Sequence, residues 1–420
     1  MRLPHILRAL ASRNYRLFFC GQSISLIGNW MTITASGWLV YDLSHSAFYV
    51  GLSAFFTQIP LLVLAPFTGV WVDRINRHRT FVLLQFFALL QSSALAAFTL
   101  SGHMTVPILL TLCVCQGLIN AWEFPVRQSL IIAFVDNRDH LGNAIALGSS
   151  IFNLARMCGP ALAGFAINQW GAGGCYLIDV VSYLPVIATL TAMRLPARLP
   201  PAKPKAALAD LREGLAYVRG HPQLRLVLQL VPVIALTGWA ASVLAPVFAR
   251  DVYHGDARLL GFMLSSIGIG ALGGAIALGM RSSAAGSERM VAWAILILAG
   301  GELVYAFSPW LPLSLAALAA CGFGGVRAMA GSNTWIQSFI DDDKRGRVMG
   351  LFAMGQGMFP VGSLIAGTLA ARFGPRPAVA VAGVAAALAG IVFIRASGAF
   401  APVSPRPPRS PTPLPSNPQG

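Results

Sequence analysis

Charge is what this sequence has least of. Asp, Glu, Lys and Arg make up 11% of its 420 residues, where a soluble chain has about 25%. That shortage excludes a water-soluble enzyme, a nucleic-acid binder and a disordered scaffold. No G-x-x-x-x-G-K-[ST] loop occurs, which removes an ATP-driven pump of the usual kind. All seven His lie between or at the ends of apolar runs, so an intramembrane hydrolase has no base or zinc ligands at depth. The six cysteines, Cys20, Cys113, Cys115, Cys158, Cys175 and Cys321, have neither metal-ligand spacing nor a pairing pattern and read as packing residues. Neither a metal nor another cofactor is expected. The N-terminal apolar stretch has no small-residue cleavage site and reads as a retained span, not a signal peptide.

What fills the space is apolar. Hydrophobic residues are 56%, glycines number 42, and mean hydropathy is +0.67. Stretches such as 43–72, 80–122, 259–280 and 348–371 hold no charge at all, and a helix needs about 20 apolar residues to cross the hydrocarbon. Twelve spans are predicted, near 17–41, 48–72, 80–101, 104–134, 141–167, 175–193, 223–249, 259–280, 290–308, 311–339, 348–371 and 377–397. They are too long and too uniformly apolar for barrel strands.

The basic residues set the orientation. Twenty-three of the 30 Lys and Arg fall on one side, including Arg2, Arg8, Arg13, Arg16, Arg138 and the seven in 194–225. By the positive-inside rule both termini and the middle loop are cytoplasmic, in the inner membrane of the cell. The net charge of +15 thus reflects topology, not nucleic-acid binding. The loop 194–222 separates an N-terminal bundle (1–193) from a C-terminal one (223–397), and the Pro-rich tail 398–420 is expected to be disordered. A shift of 209 residues lays Trp30 on Trp239 and Asp42 on Asp251, and a shift of 203 lays Gly159 on Gly362 and Gly164 on Gly367. The expected fold is an all-α membrane protein with twelve transmembrane helices in two pseudo-symmetric six-helix bundles.

That architecture matches major facilitator transporters, whose binding site lies between the halves near the midplane. Gly69, Asp73, Arg74, Arg77 and Arg79, in G-V-W-V-D-R-I-N-R-H-R, resemble that superfamily's G-x-x-x-D-R-x-x-R-R signature, with His78 as a small departure. More closely, R-N-Y-R-L-F-F from Arg13, N-A-W-E-F-P-V-R-Q from Asn120, N-L-A-R-M-C-G-P-A-L-A-G from Asn153 and R-G-R-V-M-G from Arg345 resemble the branch of enterobactin exporters and related efflux proteins. The resemblance implies export of a small molecule, a siderophore-like compound or drug, with protons as the coupling ion. It also implies a gating role for the Asp73 loop, with its partner at the start of span eleven near Arg345 and Arg347. Asp136 and Asp139 are candidate partners for Arg77 and Arg79. Gly159, Pro160 and Gly164 resemble the span-five signature of antiporters, although Ala163 stands where the family form usually carries Gly. A uniporter or importer of the same fold is the alternative reading. A monomer in the lipid bilayer is expected.

Charged residues inside spans are costly and so mark function. Glu123 and Arg127 are four apart on one helix, in the favourable acid-first order, and Glu123 is the leading proton-coupling candidate. Arg156 lies mid-span with a cavity-facing role expected. Glu302 and Arg327 are further pathway candidates, not paired with each other, and Asp179 reads as lying near the outer end of span six, where it can be merely interfacial. The small-residue stretch at Gly159 is expected to pack on span eight through Gly268, Gly270, Gly273 and Gly274. Trp30, Trp38, Gln58, Gln116, Asn120, Asn153, Trp239, Asn333, Trp335 and Gln356 are candidate pathway-lining residues.

Overall fold

The structure is a computed structural model that describes residues 5–72, 75–193, 207–281, 286–341 and 344–397. Asp73, Arg74, residues 194–206 of the predicted linker, and the tail 398–420 lie outside the described residues.

The chain is helical where it is apolar. In order come α1 (Arg13–Ser44), α2 (Ala47–Val72), α3 (Arg77–Leu100), α4 (Val106–Phe134), α5 (Leu141–Thr191), α6 (Ala207–Arg219), α7 (Pro222–Thr237), the short α8 (Ala240–Val243) and α9 (Ala245–Val247), and α10 (Ala257–Gly279). Then follow α11 (Ser287–Phe307), α12 (Leu311–Gln337), α13 (Arg345–Gln356), α14 (Phe359–Phe373) and α15 (Pro375–Ser397). Local chemistry sets their ends. Asn76 caps α3 by accepting from the Arg79 amide, Asp256 caps α10 by accepting from the amides of Arg258 and Leu259, and Pro107 stands in the first turn of α4, where a missing amide costs nothing.

Ten helical stretches among the described residues are long and apolar enough to cross a bilayer, so the chain is a multi-pass membrane protein. This differs from the twelve expected for two physical reasons. The first helix, α1, is diluted by Gln22, Ser23, Ser25, Asn29, Thr32 and Ser36 and is not among the ten. The fifth, α5, is continuous over 51 residues, about 76 Å at 1.5 Å per residue and far more than one crossing needs. It is not straight. Gly171, at φ 69° and ψ 178°, takes a left-handed conformation that suits glycine. The chain folds back there, since the Cys175 sulfur lies 3.6 Å from the Ala163 carbonyl.

Helices α1 and α3 pack on α5, α2 on α4, α10 and α11 on α12, and α15 on α11 and α7. The two most extensive contacts between the first half and the second are α5 with α10 and α2 with α14. Glycines make both possible. A Cβ on Gly51 would lie 2.8 Å from the Gly367 Cα, and one on Gly164 would lie 2.6 Å from the Ala257 carbonyl oxygen. The internal repeat reappears in packing: Gly159 backs onto Ile27 and Trp30 of α1, as Gly362 backs onto Leu236 of α7.

The molecule has two faces. One, here the terminal face, gathers the N-terminal segment, the 136–143 connection and α6: Ser12 Oγ accepts from the Asp136 amide at 3.0 Å, and Asn143 Oδ1 accepts from the Ala9 amide at 2.8 Å. The other, the distal face, carries the C-terminal end of α1, the Gly171 turn and the connection before α10. The core divides accordingly. Near the distal face a single buried cluster takes in both halves, with Met31, Tyr41, Val50 and Tyr176 alongside Leu244, Phe248, Leu260 and Ala366. Toward the terminal face there are two clusters. One belongs to the first half (Tyr15, Phe18, Phe81, Phe134, Leu190), the other to the second (Leu224, Val231, Trp335, Phe352, Phe393).

Candidate functional site

The residue predicted to face a cavity stands between the halves. Arg156, on α5 one turn before Gly159–Pro160, places its guanidinium carbon 5.9 Å from the Trp30 ring centroid and 5.0 Å from that of Trp239. These two tryptophans are the pair superposed by the 209-residue shift, one from each half. Each meets a phenylalanine edge-on, Trp30 with Phe152 at 5.8 Å and Trp239 with Phe359 at 4.8 Å. Four aromatic rings and one cation thus converge where α1, α5 and α14 meet the α7–α8 break. Phe359 was not legible as a partner, although the 203-residue shift makes it the counterpart of Arg156.

Three acids lie inside the bundle, in different surroundings. Glu123 Oε1 pairs with Arg127 Nη1 at 3.4 Å along one face of α4. Asp179 is not interfacial. It is 1% exposed, and its carboxylate accepts from Thr32 of α1 at 2.8 Å, Ser92 of α3 at 3.0 Å and Ser182 at 3.3 Å. The position follows from the Gly171 turn: Asp179 sits eight residues into the returning segment, about 12 Å from the turn, where α1 and α3 cover it. Glu302 is fully buried, and neither carboxyl oxygen has a hydrogen-bond partner. Arg327 does not approach it; its guanidinium lies over Phe323, 5.1 Å from the centroid.

Cross-half contacts close the distal face. Tyr41 donates its hydroxyl hydrogen bond to Asp251, Asp42 Oδ1 pairs with Arg250 Nη1 at 3.2 Å, and Arg250 also lies over Trp38 at 5.4 Å. The 209-residue shift carries Tyr41 onto Arg250 and Asp42 onto Asp251, so the lock is reciprocal across the pseudo-symmetry. Beside it Asn168, with its amide turned to suit both neighbours, donates to Asp256 Oδ2 at 3.0 Å and accepts from Arg258 Nε at 3.2 Å. A cavity of about 560 Å³ opens here, lined by Trp38, Asn168, Arg250, His254 and Asp256. The superposition of Asp42 on Asp251 was the signal that pointed here.

On the terminal face the signature loop is described only in part. Gly69 lies on the last turn of α2, Arg77 Nε donates to the Val72 carbonyl at 3.3 Å, and the Arg79 amide donates to Asn76. The basic residues at the start of α13 have an acidic partner that sequence reading missed. Glu213 of α6 accepts from Lys344 Nζ at 2.8 Å and from Arg347 Nη1 at 2.7 Å, and Tyr217 donates to Asp341 at 3.1 Å. The amphipathic pattern of 207–219 was its only sign.

Two further expectations change. Of the four glycines named on α10, Gly268 meets α5 at Arg156 and Met157, whereas Gly270, Gly273 and Gly274 turn to α12 at Ala319 and Phe323. Gly261, two turns before Gly268, supplies the other approach to α5, against Pro160 and Gly164. Trp335 is a core residue, buried edge-on against Phe393, not a pathway residue.

Comparison with known proteins agrees with this geometry. The sequence is 24% identical to the staphyloferrin A transporter of Staphylococcus aureus over 361 residues, covering 86% of this chain and 90% of that protein. It is 27% identical to the multidrug efflux pump Tap of Mycolicibacterium fortuitum over 354 residues, covering 82% and 86%. The fold matches the crystal structure of a bacterial homologue of the human lysosomal transporter Spinster, with a TM-score of 0.70, 15% identity and coverage of 92% and 97%. The profile of the transmembrane secretion effector family matches residues 6–401. With nearly the whole chain matched, the protein belongs to the transmembrane secretion effector family of the major facilitator superfamily.

Proposed function

We propose that the protein is a twelve-span secondary transporter that exports a small molecule across the inner membrane by alternating access, as a proton antiporter and a monomer, and that it is not an enzyme. The division of the core carries this reading. Helices joined into one cluster near one face and split into two toward the other are the packing expected of two rigid halves rocked apart at one end. Counting α1, and counting α5 as a hairpin of two spans, brings the number to twelve. The units are then 1–193, the linker 194–222, 223–397 and the tail 398–420. The basic bias places the terminal face in the cytoplasm, so this conformation is open inward. The substrates for which the relatives are named, staphyloferrin A and drugs, support a small-molecule cargo.

For coupling, the structure shifts weight from Glu123 to Asp179. Glu123 is already neutralised by Arg127. Asp179 holds α1 at Thr32, two residues from Trp30, so adding a proton there weakens a contact to the helix that supports Arg156. The antiporter-like Gly159, Pro160 and Gly164 keep α5 close to α1 and α10 while the halves move.

Everted vesicles with an acidic lumen test the reading, screened against siderophores, antibiotics and dyes. Export coupled to protons means substrate accumulates in the lumen while its addition speeds proton exit, and a protonophore, by collapsing the pH gradient, abolishes the accumulation. Accumulation indifferent to the pH gradient would favour the uniporter. Substrate leaving the lumen would favour the importer.

A further inference from the structure

Arg156 is a cation with no counter-charge. No carboxylate among the described residues lies within ion-pair distance of it, and the acids inside the bundle are otherwise engaged or remote: Glu123 with Arg127, Asp179 with three hydroxyls, Glu302 in an apolar surround. Its guanidinium makes no hydrogen bond to the described protein, yet its nitrogens are not sealed from solvent. An unpaired charge at this depth is costly and calls for a partner that comes and goes.

The surroundings say what that partner is. Indoles hold the guanidinium through attraction between a cation and ring faces, which leaves in-plane N–H donors for a ligand. Those donors match the two oxygens of a carboxylate. Around them Trp30, Phe152, Trp239 and Phe359 present flat apolar walls from both halves. We infer that Arg156 is the receptor for a carboxylate on the transported molecule, and that the substrates are organic anions with a planar apolar body. Lipophilic cations are disfavoured, because the ring faces that would attract them already hold Arg156 and no acid stands beside it. Because the rings come from both halves, an occupant touches each of them, and its binding is linked to their relative motion.

This inference rests on the reading of the chain as a transporter, and its test needs neither a gradient nor a direction. Full-length protein in nanodiscs is titrated with 2-naphthoate and with 2-naphthamide, which share a ring and differ in charge, and binding is followed by tryptophan fluorescence and calorimetry. The acid should bind about ten-fold more tightly than the amide, or better. Arg156→Gln should bring the two to the same affinity, and Arg156→Lys should keep part of the preference. Equal affinities in the parent protein would overturn the inference, whether or not the variants fold. So would an acid preference that survives in Arg156→Gln, or a parent protein that binds neither probe. Binding of naphthoate without pH-driven export in vesicles would instead count against the export reading and leave this one standing.

Discussion

Asp42 and Arg250 lie 3.2 Å apart across the two halves, and each stands one residue from the other's pseudo-symmetric equivalent. Their neighbours Tyr41 and Asp251 make the reciprocal contact. Both charged side chains are more than 40% exposed, so the pair contributes only about 0.2–1 kcal/mol. Asp42→Asn or Arg250→Gln should therefore bias the conformation without unfolding the protein. A cysteine placed at Ile167, beside the distal cavity, should label about two- to five-fold faster from outside in either variant, in keeping with a shift of that size. The exchange Asp42→Arg with Arg250→Asp should restore slow labelling. Unchanged labelling in the single variants would show that the distal face is closed by the apolar core alone.

Asp179→Asn replaces an acceptor of three hydroxyl hydrogen bonds by a group that cannot take a proton. Loss of the charge-assisted bonds should cost about 1–3 kcal/mol of stability. Proton-driven export should disappear while exchange of labelled for unlabelled substrate persists. Under the reading from sequence alone, that phenotype belongs to Glu123→Gln instead, so the two variants measured side by side in the same vesicles decide between the acids.

Gly164→Val drives a side chain into the Ala257 carbonyl and the Arg258 backbone, where even a Cβ is too close. Overpacking of this kind costs about 1–3 kcal/mol. The expected result is a lower unfolding temperature and slower transport. Gly273→Ala is the control, because a Cβ there meets only the Phe323 side chain at 3.7 Å. Equal effects at both positions would mean that close approach of α5 and α10 is not special.

On the terminal face, a cysteine introduced at Ala207 should resist impermeant reagents in intact cells and react in everted vesicles. Labelling in intact cells would reverse the orientation. Asp73→Asn should lower transport far more than it lowers the amount of protein in the membrane; equal loss of both would reduce the loop to a topogenic signal.

Much of the architecture was legible because a bilayer imposes length and apolarity on each crossing, and the Gly171 turn falls within the 168–174 gap left between the fifth and sixth predicted spans. The repeat was also legible, and it flagged Trp30 with Trp239 before either had a role. What the sequence did not reveal was convergence. Arg156 was recognisable as a mid-span charge expected to face a cavity, but no periodicity shows that its guanidinium meets two indoles from opposite halves. Asp179 was misjudged because depth along a helix can be counted in residues, whereas cover by α1 and α3 cannot. Glycines on α10 face two neighbours at once, and composition alone does not divide them between α5 and α12.

The distal lock is built from solvent-exposed ions, whereas Asp179 is shielded from bulk electrolyte. At about 0.15 M ionic strength charges are screened over roughly 8 Å, and more strongly as salt rises. The external medium therefore acts on one end of the conformational cycle and spares the other. On the proposed orientation, a saltier exterior moves the resting population toward the outward-open form, and external ionic strength becomes an input to transport.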